Sequence, residues 1–150
     1  MNKRVILIFS IVIACSALIV MQLSRFAVDT SLRNWYSGAP GFYQAIAQQH
    51  QSGKPIAIFF YADWCAACKK LKQDILATEE FIHYQDNLIA VKVNPELGAA
   101  EQSIAKKFAV LGFPTFVILP ANSNQYKYIH KTSHITTQEF INACNNAVGI

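Results

Sequence analysis

The most apolar stretch of the chain runs from Val5 to Leu23, nineteen residues without a charged side chain. As a helix it would extend about 28 Å, close to the roughly 30 Å hydrocarbon core of a bilayer. Lys3 and Arg4 precede it and Arg25 follows it, so the positive-inside rule places the N-terminus in the cytoplasm. The pattern predicts a signal-anchor or transmembrane segment over residues 1–24, with the rest of the chain on the far side of the membrane.

Three further interpretations of this run stay open. Val12 to Cys15 resembles a lipobox, in which the chain is cut before the cysteine and Cys15 carries lipid. Residues 16–23 remain apolar beyond that cut, which favours a spanning helix. A cleaved export signal or a buried core helix would also account for an apolar run of this length.

Residues 25–40 mix polar side chains with Gly38 and Pro40 and show little periodicity, which predicts a linker. After residue 40, helix and strand patterns alternate. In order, they predict a helix from Gly41 to Gly53, a strand over Ile56–Tyr61, a helix from Cys65 to about Ala77, a strand over Leu88–Val93, a helix over Gly98–Phe108, strands over Thr115–Leu119 and Tyr126–Lys131, and a helix from Thr136 or Thr137 to Val148. This order predicts an α/β domain over residues 41–150, with a parallel part of the sheet and an antiparallel hairpin.

Composition and charge exclude a disordered chain and give no indication of a nucleic-acid-binding protein. The 150 residues suffice for about one domain. A chain with 53% hydrophobic and 15% charged residues is too apolar to be disordered. The formal net charge of +4 is too small to indicate nucleic acid, and no nucleic-acid partner is predicted.

The four cysteines have different surroundings. Cys15 lies in the apolar run, and Cys144 lies on the apolar face of the last predicted helix, where it fits a small buried side chain. Cys65 and Cys68 are separated by two residues where a buried strand passes into a helix. Unpaired N–H groups and the helix dipole at such a junction lower the pKa of a thiol, so Cys65 is the predicted nucleophile.

Cys68 lies one helical turn after Cys65, within reach of a disulfide bond. It shares an apolar helix face with Leu71 and Ile75, which predicts that it packs beneath the nucleophile. Cys68 would then resolve a mixed disulfide formed on Cys65.

A zinc site is the main alternative for this cysteine pair, and it needs two further ligands. The chain has no second Cys-x-x-Cys, and His130 and His134 follow about sixty residues later on a predicted strand end and loop. No metal and no other cofactor is predicted. A purely structural disulfide is also disfavoured, because so short a loop restricts the unfolded chain little.

Two blocks of the sequence resemble the thioredoxin superfamily. The first, Tyr61 to Lys69, places a tryptophan directly before the first cysteine, and the second, Leu111 to Thr115, holds a Gly-x-Pro-Thr pattern. The similarity covers about residues 41–148 and is most like the C-terminal periplasmic domain of the DsbD thiol:disulfide interchange proteins. A single anchor before one such domain resembles the membrane-tethered thioredoxin-like proteins of cytochrome c maturation and related thiol relays.

The resemblance implies a thioredoxin-like fold, with helices flanking a central mixed sheet, and a redox-active disulfide between Cys65 and Cys68. It implies a cis peptide bond between Phe113 and Pro114, whose backbone pairs with an extended substrate segment. Trp64 would shield the disulfide, with core packing as its alternative, so Trp64, Phe113 and Pro114 are the predicted substrate-binding residues. The implied location is the bacterial inner membrane, with a single pass and the catalytic domain in the periplasm.

Two departures from the family's pattern lie close to the cysteines. Phe59 stands where the family usually has a buried acid, and Lys72 stands where the DsbD domain tends to have another. Because both carboxylates would raise thiol pKa values, we expect a lower pKa for Cys65 and a more oxidising couple than in those relatives. Asp63, Lys69 and Lys72 are the candidates to tune this pKa, although such residues are more often helix caps or solvated charges.

The sequence therefore predicts a membrane-anchored periplasmic thiol:disulfide oxidoreductase of the protein-disulfide reductase type, with its direction open. Its expected partners are protein disulfides or dithiols, together with a membrane or periplasmic redox partner that restores the cysteine pair. The alternative is a client-binding module in which redox chemistry is secondary. Residues 126–128 offer exposed aromatic and basic side chains for such binding, although alternation along a strand explains them more simply.

Overall fold

The computed structural model describes residues 32, 34–121, 123, 125–129 and 135–149. The predicted anchor, Cys15, His130 and His134 lie outside these residues. Within the described part of the chain, no helix has the length and apolarity that crossing a membrane requires.

A five-stranded sheet forms the centre of the described residues, with the spatial order β1-β3-β2-β4-β5. The strands are β1 (Tyr36–Ser37), β2 (Ile56–Phe60), β3 (Ile89–Val93), β4 (Thr115–Leu119) and β5 (Lys127–Ile129). β1, β3 and β2 pair in parallel, whereas β4 pairs antiparallel with both β2 and β5. The predicted combination of a parallel part and an antiparallel hairpin is confirmed.

Helices precede, connect and follow these strands. They are α1 (Gly38–Ser52), α2 (Ala66–Leu71), α3 (Glu79–Tyr84), α4 (Ala99–Lys107) and α5 (Thr137–Val148), with a π-helical turn at Lys72–Leu76 and a 3₁₀ turn at Gln85–Asn87. Thr136 caps α5, because its hydroxyl accepts a hydrogen bond from the N–H of Glu139 and the Glu139 carboxylate accepts one from the N–H of Thr136. This capping box explains why the helix begins where the sequence predicts.

Two apolar layers cover the sheet, one on each face. Successive side chains of β2 point to opposite faces, so Phe59 packs with α2, α3 and α5 while Ile58 packs with α1 and α4. Every residue of β2 is buried. Burial on both faces is the physical reason for its uninterrupted apolar sequence.

The predicted helix from Cys65 to about Ala77 is not a regular α-helix throughout. After α2, the N–H of Ala77 bonds to the carbonyl oxygen of Lys72 at 2.8 Å, which is π-helical spacing. The predicted apolar face is nevertheless present, because Cys68, Leu71 and Ile75 are all buried.

Two elements were not predicted from the sequence. β1 has two residues and exists through its pairing with Val91 and Lys92, and α3 is a six-residue helix with one buried side chain, Phe81. Both are too short for a hydrophobic period to show.

The folded unit also begins earlier than residue 41. Residues 36–40, expected to be the end of a linker, form β1 and the first turn of α1. Trp35 is buried, and its indole N–H donates to Gln85 Oε1 at 2.7 Å. Its ring packs edge-on against Phe116 at 6.3 Å, so long-range packing orders a segment with no local period.

Candidate active site

The Cys65–Cys68 pair lies where β2 ends and α2 begins. Beyond β2, the N–H of Tyr61 bonds to the carbonyl oxygen of Val93 at 3.1 Å, which extends the pairing with β3 by one residue. The N–H of Cys65 bonds to the carbonyl oxygen of Ala62 at 3.1 Å, forming a tight turn. That turn delivers Cys65 to the N-cap position of α2, as the sequence predicts.

The two cysteines form a disulfide, with their Cα atoms 5.2 Å apart. The N–H of Cys68 lies 3.1 Å from the Cys65 sulfur and points at it. A thiolate at this position would therefore accept a helix N-terminal hydrogen bond.

The two cysteines are buried to nearly the same extent in the disulfide form. Cys65 is 4% exposed and Cys68 is 3% exposed. The predicted contrast between a reachable Cys65 and a covered Cys68 is therefore not visible in residue exposure. The contrast lies instead in position, since Cys65 caps the helix and Cys68 faces the core with Leu71.

Trp64 and Phe113 form an aromatic rim next to the disulfide. The Trp64 side chain is 69% exposed, which is incompatible with the core-packing alternative. Its ring meets Phe113 edge-on at 6.3 Å, and the peptide bond between Phe113 and Pro114 is cis. The structure thus brings together the residues that the resemblance implied for substrate binding.

A shallow cavity of about 420 Å³ adjoins this rim along the loop before β4. Its walls include Leu111, Phe113, Pro114 and Tyr128, and Leu111 is 100% exposed. The Tyr128 hydroxyl donates to the carbonyl oxygen of Phe108 at 2.7 Å, which fixes that side of the cavity. An apolar surface of this kind suits an extended peptide segment.

A second, small cavity of about 80 Å³ reaches Cys68. It is lined by Phe59, Tyr61, Ala62, Asp63, Cys68, Lys69 and Lys72. Phe59 is 1% exposed and stacks on Tyr61 at 5.5 Å, so an aromatic ring occupies the place of the family's buried acid. Burial, and to a smaller extent the charge of Asp63, raise the pKa of Tyr61.

The predicted tuning residues are all near the site but are not equally close to its centre. Lys69 is exposed and Lys72 is half-buried, and both line the cavity that reaches Cys68. Asp63 is exposed and accepts a hydrogen bond from Asn94 Nδ2 at 3.4 Å.

Two site residues were missed from the sequence. Asn94 and Glu96 follow β3, and their side chains bond to Asp63 and Trp64, respectively. Polar residues just past the carboxyl end of a strand parallel to β2 offered a signal, because neighbouring parallel strands end at the same edge of a sheet.

Cys144 takes no part in this arrangement. It is a free cysteine, fully buried on α5, and burial raises the pKa of its thiol to about 12. Burial, followed by the neighbouring Cys144, also raises the pKa of Tyr84 to about 12. The predicted role of Cys144 as a small core side chain is confirmed.

The zinc-site alternative for the cysteine pair needs further ligands close to the two sulfur atoms. Among the described residues, no group of three or more His, Cys, Asp or Glu side chains is placed so that it could hold a metal ion. His130 and His134, the candidate partners of the cysteine pair, lie outside the described residues.

A model of the thioredoxin-like family matches residues 34–121 of this chain. The match covers more than half of the sequence and includes both cysteines and the Phe113–Pro114 segment. The chain therefore belongs to the thioredoxin-like family.

Curated relatives include the thiol:disulfide interchange protein DsbD of Yersinia pestis, 28% identical over 71% of this chain and 18% of that protein. The chloroplastic thioredoxin-like protein HCF164 of Arabidopsis thaliana is 31% identical over 83% of this chain and 43% of that protein. The chain thus spans less than half the length of either relative.

Solved structures agree on the fold. The DsbH oxidoreductase superposes with a TM-score of 0.63 at 25% identity, covering 77% of this chain and 84% of that one. The oxidised C-terminal domain of Neisseria meningitidis DsbD also has a TM-score of 0.63, at 17% identity, covering 75% of this chain and 98% of that one. The predicted similarity to the DsbD C-terminal domain is confirmed.

Proposed function

We propose that this protein is a thiol:disulfide oxidoreductase that exchanges disulfides with protein substrates through Cys65 and Cys68. The observation that carries the proposal is the disulfide at the N-terminus of α2, beside the rim formed by Trp64 and Phe113. The names of the relatives, an interchange protein and an oxidoreductase, support the same chemistry.

In the reducing direction, the Cys65 thiolate attacks one sulfur of a substrate disulfide. A Cys65–substrate bond forms, and the other substrate sulfur leaves as a thiolate that takes up a proton. The Cys68 thiolate then attacks the Cys65 sulfur, which closes the Cys65–Cys68 disulfide and releases the second substrate thiolate. The substrate gains two electrons, and a partner dithiol must return two electrons to the pair.

The reverse sequence of steps oxidises a substrate dithiol. The absence of a carboxylate at Phe59 and the charge of Lys72 support a more oxidising potential than that of acid-bearing relatives. Equilibration of the pair with glutathione buffers measures that potential. A value near −120 mV would fit an oxidase, and one near −270 mV would fit a thioredoxin-like reductase and contradict the effect assigned to the missing acids.

Membrane attachment through residues 5–23, with the catalytic domain in the periplasm of a bacterium, is a further part of the proposal. Its support is the apolar run and its basic flank. Alkaline extraction of membranes should leave the full chain in the pellet. Loss of attachment on Cys15→Ser would instead favour the lipoprotein form anchored through Cys15.

A client-binding module is the second candidate, favoured by the fully exposed Leu111 and the cavity beside it. The double variant Cys65→Ser, Cys68→Ser separates the two functions. If disulfide exchange is the function, a phenotype of the null strain is not rescued by the double variant. Full rescue would assign the function to binding.

A further inference from the structure

Trp64 is held by a carboxylate from another part of the chain. Its indole N–H lies 3.0 Å from Oε1 and 2.9 Å from Oε2 of Glu96. An indole that is 69% exposed has few packing contacts to fix its rotamer. The shared hydrogen bond to a charged acceptor therefore determines much of the ring's orientation.

The turn that carries Glu96 is itself anchored. The N–H of Glu96 donates to Asn94 Oδ1 at 3.0 Å, and Asn94 is 2% exposed. Asn94 Nδ2 in turn donates to Asp63 Oδ2 at 3.4 Å. One turn after β3 thus bonds to both residues that precede the first cysteine, Asp63 and Trp64.

The orientation of Trp64 matters for the rim, because its ring meets Phe113 edge-on at 6.3 Å. Trp64 precedes Cys65, and Phe113 comes from the loop before β4, so their separation sets the width of the entrance to the disulfide. Glu96 controls one of these two rings through the indole N–H.

We infer that Glu96 is a positioning residue for protein substrates, acting through the Trp64 indole to keep the Trp64–Phe113 rim in its docking geometry. This inference rests on the proposed disulfide exchange and adds a determinant of substrate recognition to it. A protein disulfide must contact the rim to reach Cys65, whereas a small disulfide needs little of it. Glu96 therefore acts on the KM for protein substrates.

The test compares reduction of insulin with reduction of bis(2-hydroxyethyl) disulfide by the full chain, with dithiothreitol as electron donor. In Glu96→Ala, the KM for insulin should rise about threefold to tenfold, while kcat for insulin and the rate with the small disulfide change less than about twofold. Glu96→Gln, which keeps one acceptor oxygen, should lie between wild type and Glu96→Ala. Glu80→Ala removes a similarly exposed carboxylate from α3 and should match wild type.

A double-mutant cycle with Trp64→Phe tests whether Glu96 acts through the indole. Phenylalanine keeps a ring but has no N–H, so Glu96→Ala should have no further effect on KM in that background. An equal effect in both backgrounds, equal slowing of both substrates, or an unchanged KM for insulin would each overturn the inference.

A spectroscopic measurement tests the positioning of Trp64 by Glu96 independently of disulfide exchange. Near-ultraviolet circular dichroism should lose intensity in Glu96→Ala, with no further loss in the Trp64→Phe background. Wild-type protein that reduces neither substrate would contradict the proposed function, whereas an unchanged spectrum in Glu96→Ala would contradict only the positioning by Glu96.

Discussion

The thiol of Cys144 should be inert in the folded protein, although it is a free cysteine. Burial raises its pKa from 9.0 to about 12. At pH 8 about one thiol in ten thousand would then be ionised, against about one in ten at the unshifted value, and the thiolate is the reacting species. Alkylation in the folded state should therefore be about a thousandfold slower than for an exposed cysteine, before any steric barrier is counted.

The raised pKa of Cys144 also makes the free energy of unfolding depend on pH in the alkaline range. Between pH 9 and about 12 the unfolded chain loses this proton while the folded chain keeps it, so stability falls as pH rises. The slope is about 1.4 kcal/mol per pH unit, with a limit of about 4 kcal/mol over the whole interval. Cys144→Ala removes this dependence, so the stability difference between variant and wild type should change by about 1 kcal/mol between pH 9 and pH 10, where the unfolded thiol is only partly ionised at the start of the interval.

Two assays check this reasoning. After reduction, iodoacetamide labelling of the folded full chain at pH 8, followed by peptide mass spectrometry, should modify Cys65 and leave Cys144 unlabelled until urea is added. Urea unfolding of wild type and Cys144→Ala at pH 9 and pH 10 measures how the stability difference between the two proteins changes with pH. Labelling of Cys144 at the rate of Cys65 would refute the argument. A stability difference between wild type and Cys144→Ala that is the same at both pH values would also refute it.

Three further predictions concern the framework around the site. Thr136→Ala removes the cap of α5 and should cost about 1 kcal/mol of unfolding free energy in urea, whereas Thr136→Ser should restore most of it. The Glu101 carboxylate accepts a hydrogen bond from the N–H of Ala39 at 2.9 Å, which lowers the pKa of Glu101 below 4.5. Its stabilisation should therefore be present at pH 7 and disappear as pH falls through the lowered pKa, so that the urea midpoints of wild type and Glu101→Gln converge in acid. Phe59→Ala removes a ring that is 1% exposed and should cost about 3–5 kcal/mol in the same urea assay, with a cost below about 1 kcal/mol contradicting its assigned place in the core.

The parts of the fold that were predictable are those with a strong local pattern. β4 (Thr115–Leu119) has the predicted bounds, and β2 ends one residue before the predicted Tyr61. Both are largely apolar because each lies inside the sheet, with a neighbouring strand on either side. The N-cap of α5 could be predicted as Thr136 or Thr137, because a threonine is a preferred capping residue and a clear helical period follows it directly.

The unpredicted parts depend on contacts between distant segments. β1 exists because Tyr36 pairs with Val91, and the π-helical turn depends on a hydrogen-bond partner shifted by one residue at Ala77. Neither leaves a hydrophobic period in the sequence.

The site divides in the same way. Cys65 and Cys68 could be found because their spacing and position at a strand–helix junction are local features. The contact of Trp64 with Glu96 spans 32 residues and depends on the parallel pairing of β2 with β3. No spacing rule along the chain reveals such a contact before the order of the strands is known.

Covalent trapping of a substrate tests the proposed exchange most directly. In Cys68→Ser the second step is blocked, so a mixed disulfide formed on Cys65 should accumulate when the reduced protein meets a protein disulfide. Peptide mapping should place this adduct on Cys65, and Cys65→Ser should abolish it. Absence of any adduct, or an adduct carried by Cys144, would contradict the account.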